Sequence, residues 1–324
     1  MLVPILLFLL GLVLLIKGGD WFVDGASGIA KRFHVPELLI GATVVSIGTT
    51  LPEVMVSATS AVTGHGEIAY GNAIGSVICN TSLIAALTLA IRPAKTERKS
   101  LVLPVCFFFG AAIVYMLQAY ISGYFTRAIG IVLLLGFCLY IGLNVREALL
   151  IKSESSSEES ADQPTDKKGL IKELVLLVIG AALIAVGAKL LVDNGTKIAE
   201  WLGVPESVIA LTFVALGTSL PELVTAITSL VKGHSAPSLG NIIGANLFNL
   251  VLVSGVSVVL SPFAIPAEKQ LAGMNASLVL DLPLMIAVML IMTVPPLVKG
   301  KLYRWQGILL LAIYAAYCTF QFIA

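Results

Sequence analysis

Two glutamates stand in near-identical hexapeptides, Gly48-Thr-Thr-Leu-Pro-Glu53 and Gly217-Thr-Ser-Leu-Pro-Glu222, each inside a stretch otherwise apolar enough to cross a bilayer. A charged side chain at the bilayer centre costs about 2.5–3.5 kcal/mol on insertion scales, so a carboxylate kept there is a functional candidate by default. Thr49 and Glu53 are four apart, as are Thr218 and Glu222, so each hydroxyl and carboxylate can share one helix face. Pro52 and Pro221 lack an N–H and clash with the preceding turn, which frees backbone carbonyls, and Gly48 and Gly217 loosen the same turn. Irregular backbone at this depth is tolerated only where it lines a cavity or is buried in protein. The product is two carboxylates, several hydroxyls and bare carbonyls: hard oxygen ligands, suited to Ca²⁺ or Na⁺ and unsuited to soft transition metals. No His or Cys belongs to the set.

The following apolar stretch of each half adds polar groups. Ser76 and Asn80 are four apart, and Asn249 answers Asn80 in the second half. Either Asn alone reads equally well as an interhelical hydrogen bond, but beside two carboxylates a part in the cation site is favoured. Gly71, Gly75, Gly240 and Gly244 make small-xxx-small faces that let helices pack closely, a weak signal on its own. Asp281 has no counterpart and reads as a helix–helix contact. Asp24 and Asp193 match each other but lie near helix ends, Lys17 and Lys189 snorkel or pair with such acids, and His65 and His234 sit beside Gly in short loops with a turn role.

The elements that must position these groups are membrane helices. Of 324 residues 58% are hydrophobic and 12% charged, and the mean hydropathy is +0.99; a soluble domain carries about 25% charged residues. A soluble enzyme is excluded. A net charge of +1 gives no reason to expect a nucleic-acid partner. Cys79, Cys106, Cys138 and Cys318 are scattered through apolar runs without paired spacing and read as membrane-buried side chains rather than a disulfide frame or a zinc site. A spanning helix needs roughly 20 apolar residues, and ten such segments lie near 2–30, 36–63, 67–91, 100–119, 125–148, 169–200, 205–231, 236–260, 273–294 and 304–322. The first has no positive segment before it and is read as a true helix, not a cleaved signal. With alternating loops, most Lys and Arg fall on one face, while Arg127, Lys197 and Lys269 are alone on the other, so both termini are expected outside. The stretch 151–168 is acidic and Ser-rich with no apolar period, which predicts a solvated cytoplasmic linker.

Laying Val35 on Val204 reveals an internal repeat. Val35-Pro36-Glu37 falls on Val204-Pro205-Glu206, Gly64-His65 on Gly233-His234, and Gly71-Asn72 on Gly240-Asn241. Through to Asn80 on Asn249 no gap is needed, and nearly half of the positions are identical. Upstream, Gly11 and Gly18 recur as Gly180 and Gly187; towards the end, after a small shift, Arg127 and Gly130 recur as Arg304 and Gly307. The chain therefore divides into 1–150, a first repeat with its motif at 35–80; the linker 151–168; and 169–324, a second repeat with its motif at 204–249. Five spans per repeat is an odd number, so the second copy enters the membrane inverted. The expected fold is all-α and polytopic, with ten transmembrane helices in two inverted five-helix repeats, an architecture that places substrate sites near the midplane where the repeats meet.

At these residues the chain resembles the Ca²⁺/cation antiporter superfamily and, within it, the prokaryotic Na⁺/Ca²⁺ exchangers, along essentially its whole length. The resemblance implies that Thr49, Glu53, Thr218 and Glu222 bind Ca²⁺. It implies that Thr50, Ser76, Ser219 and the carbonyls of Ser46 and Ala215 form flanking Na⁺ sites, with Asn80 and Asn249 completing the middle. Two positions depart from the pattern: Ala245 stands where a Ser would answer Ser76, and Asn249 stands where an Asp is expected. The site is left with two formal negative charges, which one Ca²⁺, two Na⁺ or two protons would each neutralise.

The expectation is a secondary antiporter exchanging Ca²⁺ for Na⁺ by alternating access, with Ca²⁺/H⁺ exchange or a K⁺-assisted mode at the same residues as the alternatives. A channel would want a continuous pore and rings of like ligands. An intramembrane enzyme is disfavoured, since no HExxH, Gly-x-Ser-x-Gly or catalytic Asp pair occurs. No cofactor is called for beyond the transported ions, and the only other partner is the lipid bilayer. The short linker points to a prokaryotic plasma membrane. The sequence does not set the oligomeric state, and a monomer is compatible with it.

Overall fold

The computed structural model describes residues 2–32, 46–93, 98–154, 167–231 and 239–323. Val35-Pro36-Glu37, Gly233-His234 and most of the expected linker lie outside them.

Helix α1 spans Leu2–Arg32. Of the expected second segment, the described residues form α2, Ser46–Thr49, followed by α3, Leu51–Val62. Helix α4 runs Gly66–Ile91 and carries a π-helical turn over Asn80–Ala85. Helices α5, Arg98–Ser122, and α6, Arg127–Glu154, complete the first half. Helix α7, Lys167–Leu202, opens the second half, so that helix occupies both edges of the stretch read as a linker. Helix α8, Glu206–Thr218, has a π-helical turn at Ala210–Val214 and is followed by α9, Leu220–Val231. Helix α10 comprises Leu239–Phe248, a π-helical turn Asn249–Val253 and Ser254–Leu260. Helix α11, Ser277–Lys299, begins with its own π-helical turn, and α12, Arg304–Ile323, ends the described chain.

Eight of these helices are long and apolar enough to cross a membrane: α1, α4, α5, α6, α7, α10, α11 and α12. The other two expected spans are each interrupted, at Thr50 and at Ser219, and leave shorter apolar helices. A few two-residue strands were not anticipated. β1, Tyr124–Phe125, pairs antiparallel with β2, Phe263–Ala264, and β3, Gln270–Leu271, pairs with β4, Met274–Asn275.

Helix α4 is the most enclosed element, with every residue from Ile68 to Cys79 buried. It has a centre to sit in because neighbouring helices approach it at small residues. A methyl group on Gly71 would meet Ala210 and the Ser207 carbonyl of α8, and one on Gly75 would lie 2.7 Å from the Leu211 carbonyl. Helices α1 and α7 run antiparallel along most of their length, with Gly11 against Gly187 and Gly18 against Gly180. Large apolar side chains such as Leu6, Ile113, Leu135 and Val178 point outward instead. In water such a surface would be an aggregation liability; in lipid it is the solvent-matched face.

Several polar contacts fasten the helix ends. Arg127 at the start of α6 donates to the Val259 carbonyl near the end of α10, and Arg304 at the start of α12 donates to the Ile91 carbonyl at the end of α4, both at 3.1 Å. These side chains satisfy carbonyls that a helix terminus leaves open. Asp281 is buried and accepts from Tyr317 and Gln321 of α12, each at 2.9 Å, as expected for a helix–helix contact. In the loop before α11, Lys269 donates to the Phe320 and Gln321 carbonyls of α12; burial pushes its ammonium below the ordinary lysine value, and Asp281 works against that. Lys17 pairs with Asp20 at 3.5 Å, an exposed neighbour on its own helix rather than Asp24 or Asp193. The four cysteines are free. His65, by contrast, does more than turn the chain: its Nδ1 lies 2.9 Å from Glu206 Oε1, joining the α3–α4 loop to the start of α8.

Candidate functional site

Glu53 and Glu222 occupy equivalent places, in the first turns of α3 and α9. Each follows a kink at the residue between two helices, Thr50 with φ −88° and ψ −3° and Ser219 with φ −85° and ψ 8°. These angles fall in the sparsely populated bridge region. Pro52 and Pro221 are the second residues of their helices, where a missing N–H costs no intrahelical bond. The irregularity is therefore a one-residue kink rather than an unwound stretch. Gly48 and Gly217 have a second reason beyond a loose turn: a side chain on Gly48 would strike Val23 of α1, and one on Gly217 would strike Leu12 of the same helix.

The two carboxylates come together from opposite halves of the chain. The Glu222 charge acts on the Glu53 carboxyl, and the Thr218 and Ser219 hydroxyls also lie against it. Glu53, Thr50, Ser76, Asn80, Thr218, Ser219 and Asn249 are all buried, while Thr49 and Glu222 are partly so. Ala215 is buried at the start of the helical turn that leads into Thr218, and Ser46 is the first described residue of α2. Asn80 and Asn249 each begin a π-helical turn, of α4 and α10 respectively. Such turns recur at functional sites because they redirect a side chain and leave carbonyls outside the α-helical ladder.

The chemistry of the cluster lies in its unused oxygens. Glu53 Oε2, Ser76 Oγ, Asn80 Oδ1, Ser219 Oγ and Asn249 Oδ1 are buried with no hydrogen-bond partner. Leaving a buried polar atom unsatisfied costs about 1–3 kcal/mol, and a cation accepting these oxygens as ligands removes that cost. Among the described residues no group of three or more His, Cys, Asp and Glu is assembled. The donors beyond the two glutamates are thus neutral hydroxyls, amides and carbonyls, a set that matches hard, weakly demanding ions.

Asn72 and Asn246, with their partners Ser57 and Thr81, are polar residues at or near the site that the sequence reading does not place there. Asn72 is fully buried; its Nδ2 donates to the Glu53 carbonyl at 3.1 Å and to Ser57 Oγ at 2.8 Å, and its Oδ1 accepts the Thr218 hydroxyl at 3.1 Å. The available signal was its spacing, since positions 72, 76 and 80 fall on one helix face. Asn246 donates to Thr81 at 2.8 Å, tying α10 to α4 beside the two π-helical turns.

Comparison with known proteins gives the family. The family model described as sodium/calcium exchanger protein matches residues 3–146 and 172–323. The sodium/calcium exchanger MaX1 of Methanosarcina acetivorans is 31% identical over 353 aligned positions, covering 99% of each chain. An uncharacterized membrane protein of Methanocaldococcus jannaschii is 36% identical, covering 95% of this chain and 94% of its own. A solved structure of the sodium-calcium exchanger NCX_Mj, soaked with Na⁺ and Sr²⁺, superposes with a TM-score of 0.63 at 33% identity over 97% of each chain. With matches along both halves and, among the described residues, eight helices of membrane-spanning length, the protein is a membrane-embedded cation antiporter, and the chain belongs to the sodium/calcium exchanger family.

Proposed function

We propose that the protein exchanges Ca²⁺ for Na⁺ across the membrane by alternating access at a central site built on Glu53 and Glu222. Thr49, Glu53, Thr218 and Glu222 take Ca²⁺. Thr50, Ser76, Ser219 and the carbonyls of Ser46 and Ala215 take Na⁺ on either side, and Asn80 and Asn249 close the middle. The observation that carries this reading is the set of buried, unpartnered oxygens on Glu53, Ser76, Asn80, Ser219 and Asn249, drawn from both halves around one pair of carboxylates. A shared dianionic site enforces exchange. Empty, it would be costly to carry through a low-dielectric barrier; loaded with one Ca²⁺ or two Na⁺, it is neutral and free to switch.

The inverted repeat supplies the two-sidedness. Ten spans, with α2–α3 and α8–α9 each counted as one broken span, give two halves of five, 1–150 and 169–324, joined by a cytoplasmic linker. The reciprocal contacts support that symmetry. Gly11 and Gly18 meet Gly187 and Gly180, which are their own counterparts in exchanged order, on antiparallel helices. Gly130 packs against Gly255 and Val259 of α10, and its counterpart Gly307 packs against Ala86 and Ala90 of α4. Arg127 and Arg304 cap the ends of those same two helices. A two-fold axis in the membrane plane produces this exchange of partners. The excess of basic residues on one face, in a chain of this family, supports an inner-membrane protein with both termini outside.

The test is radioactive Ca²⁺ uptake into proteoliposomes with the membrane potential clamped at zero by ionophores. An outward Na⁺ gradient should drive uptake and a proton gradient alone should not. Uptake driven only by protons would refute Na⁺ as the counter-ion.

A further inference from the structure

We infer that Asn72 is a positioning residue for cation binding, a role that rests on the two-glutamate site proposed above. Its side chain is fully buried on α4, one turn before Ser76 and two before Asn80. All of its hydrogen bonds go to groups beside the carboxylates. Nδ2 donates to the backbone carbonyl of Glu53 and to Ser57 Oγ, both on α3, and Oδ1 accepts the hydroxyl hydrogen of Thr218 on α8. One amide thus clamps the two helix segments that bear the Ca²⁺ ligands of opposite halves.

The direction of the Thr218 bond matters. A hydroxyl has one hydrogen and two lone pairs. With the hydrogen directed to Asn72 Oδ1 at 3.1 Å, rather than to the Ala215 carbonyl at 3.3 Å or to the Glu53 carboxyl it also lies against, the lone pairs of Thr218 can face a cation. The two donations to α3 fix the backbone from which Glu53 projects. Asn72 therefore acts on Ca²⁺ through Thr218 and Glu53 without being a ligand itself. The clamp is also unequal between the halves. The counterpart of Ser57 is Ala226, which offers no hydroxyl, so the three-point arrangement at Asn72 cannot be reproduced in full by the second copy.

The experiment measures the half-saturation and maximal rate of Na⁺-driven Ca²⁺ uptake in proteoliposomes for wild type, Asn72→Leu, Thr218→Val and the double variant, with thermal melting in detergent as a folding control. Asn72→Leu keeps the volume and removes every bond. It is expected to raise the Ca²⁺ half-saturation about tenfold, the equivalent of about 1.4 kcal/mol, with a smaller change in maximal rate. In the Thr218→Val background the same substitution should add less than about threefold, because the hydroxyl to be oriented is gone. Ser57→Ala, which removes one contact of the clamp, should have a small effect of the same kind. If Asn72→Leu does not fold, Asn72→Ser, which is too short to span the two helices, carries the same cycle. An unchanged half-saturation, or an equal shift with and without the Thr218 hydroxyl, would overturn the positioning role. Failure of the site itself is read separately: Ca²⁺ transport that survives Glu53→Gln together with Glu222→Gln would remove the premise, whatever Asn72 does.

Discussion

A methyl group on Gly11 would lie 2.9 Å from the carbonyl oxygen of Gly187, and one on Gly187 would lie 2.8 Å from the carbonyl of Gly11. The backbones of α1 and α7 therefore touch, and neither residue tolerates a side chain without moving a helix. Gly11→Val or Gly187→Val should destabilise the protein by about 1–3 kcal/mol through overpacking, read as a lower melting temperature in detergent. Gly136→Ala on α6, where no atom lies within 4 Å, should be neutral or slightly stabilising and serves as the control.

His65 and Glu206 join the two halves at one end of the bundle, through partly exposed side chains. The contact lies between groups that water and salt can reach, so its contribution is small and screened. A double-mutant cycle with His65→Ala and Glu206→Ala should give a coupling of about 0.5 kcal/mol at low salt and less in high salt. Thermal melting of the four proteins measures it.

The charge count at the site makes a prediction about voltage. Two carboxylates balanced by one Ca²⁺ or by two Na⁺ give a neutral carrier in both directions, so exchange should be indifferent to an imposed membrane potential. Asn249→Asp adds a third formal charge and, with it, a need for one more monovalent ion. The variant should show a steeper dependence on Na⁺ concentration and a flux that responds to voltage. Ca²⁺ uptake measured at several valinomycin-set potentials distinguishes the two.

Much of this was legible in the residues. The helical segments follow from hydropathy, and the mid-span glutamates stand out because charge there is costly. The matched hexapeptides identify which carboxylates belong together, although they sit far apart in the chain. The kinks at Thr50 and Ser219 are implied by the following prolines, but their tightness is not, because first-turn prolines bend a helix without unwinding it. The π-helical turns at Asn80 and Asn249 left no trace, since they depend on how a crowded helix adjusts to its neighbours. Asn72 was visible only as a repeated letter: its importance lies in a contact to Thr218 that the fold creates between distant segments. His65 was read as a turn residue for the same reason, its partner being on another helix.

The most direct test of the central claim is Na⁺-gradient-driven uptake of radioactive Ca²⁺ by proteoliposomes containing wild type, Glu53→Gln, Glu222→Gln and the double variant, each checked for folding by its melting curve. If the two carboxylates are the shared site, each single variant loses most of the Na⁺-driven flux, and the double variant falls to the level of protein-free vesicles. A folded double variant that still accumulates Ca²⁺ against the Na⁺ gradient would contradict the account.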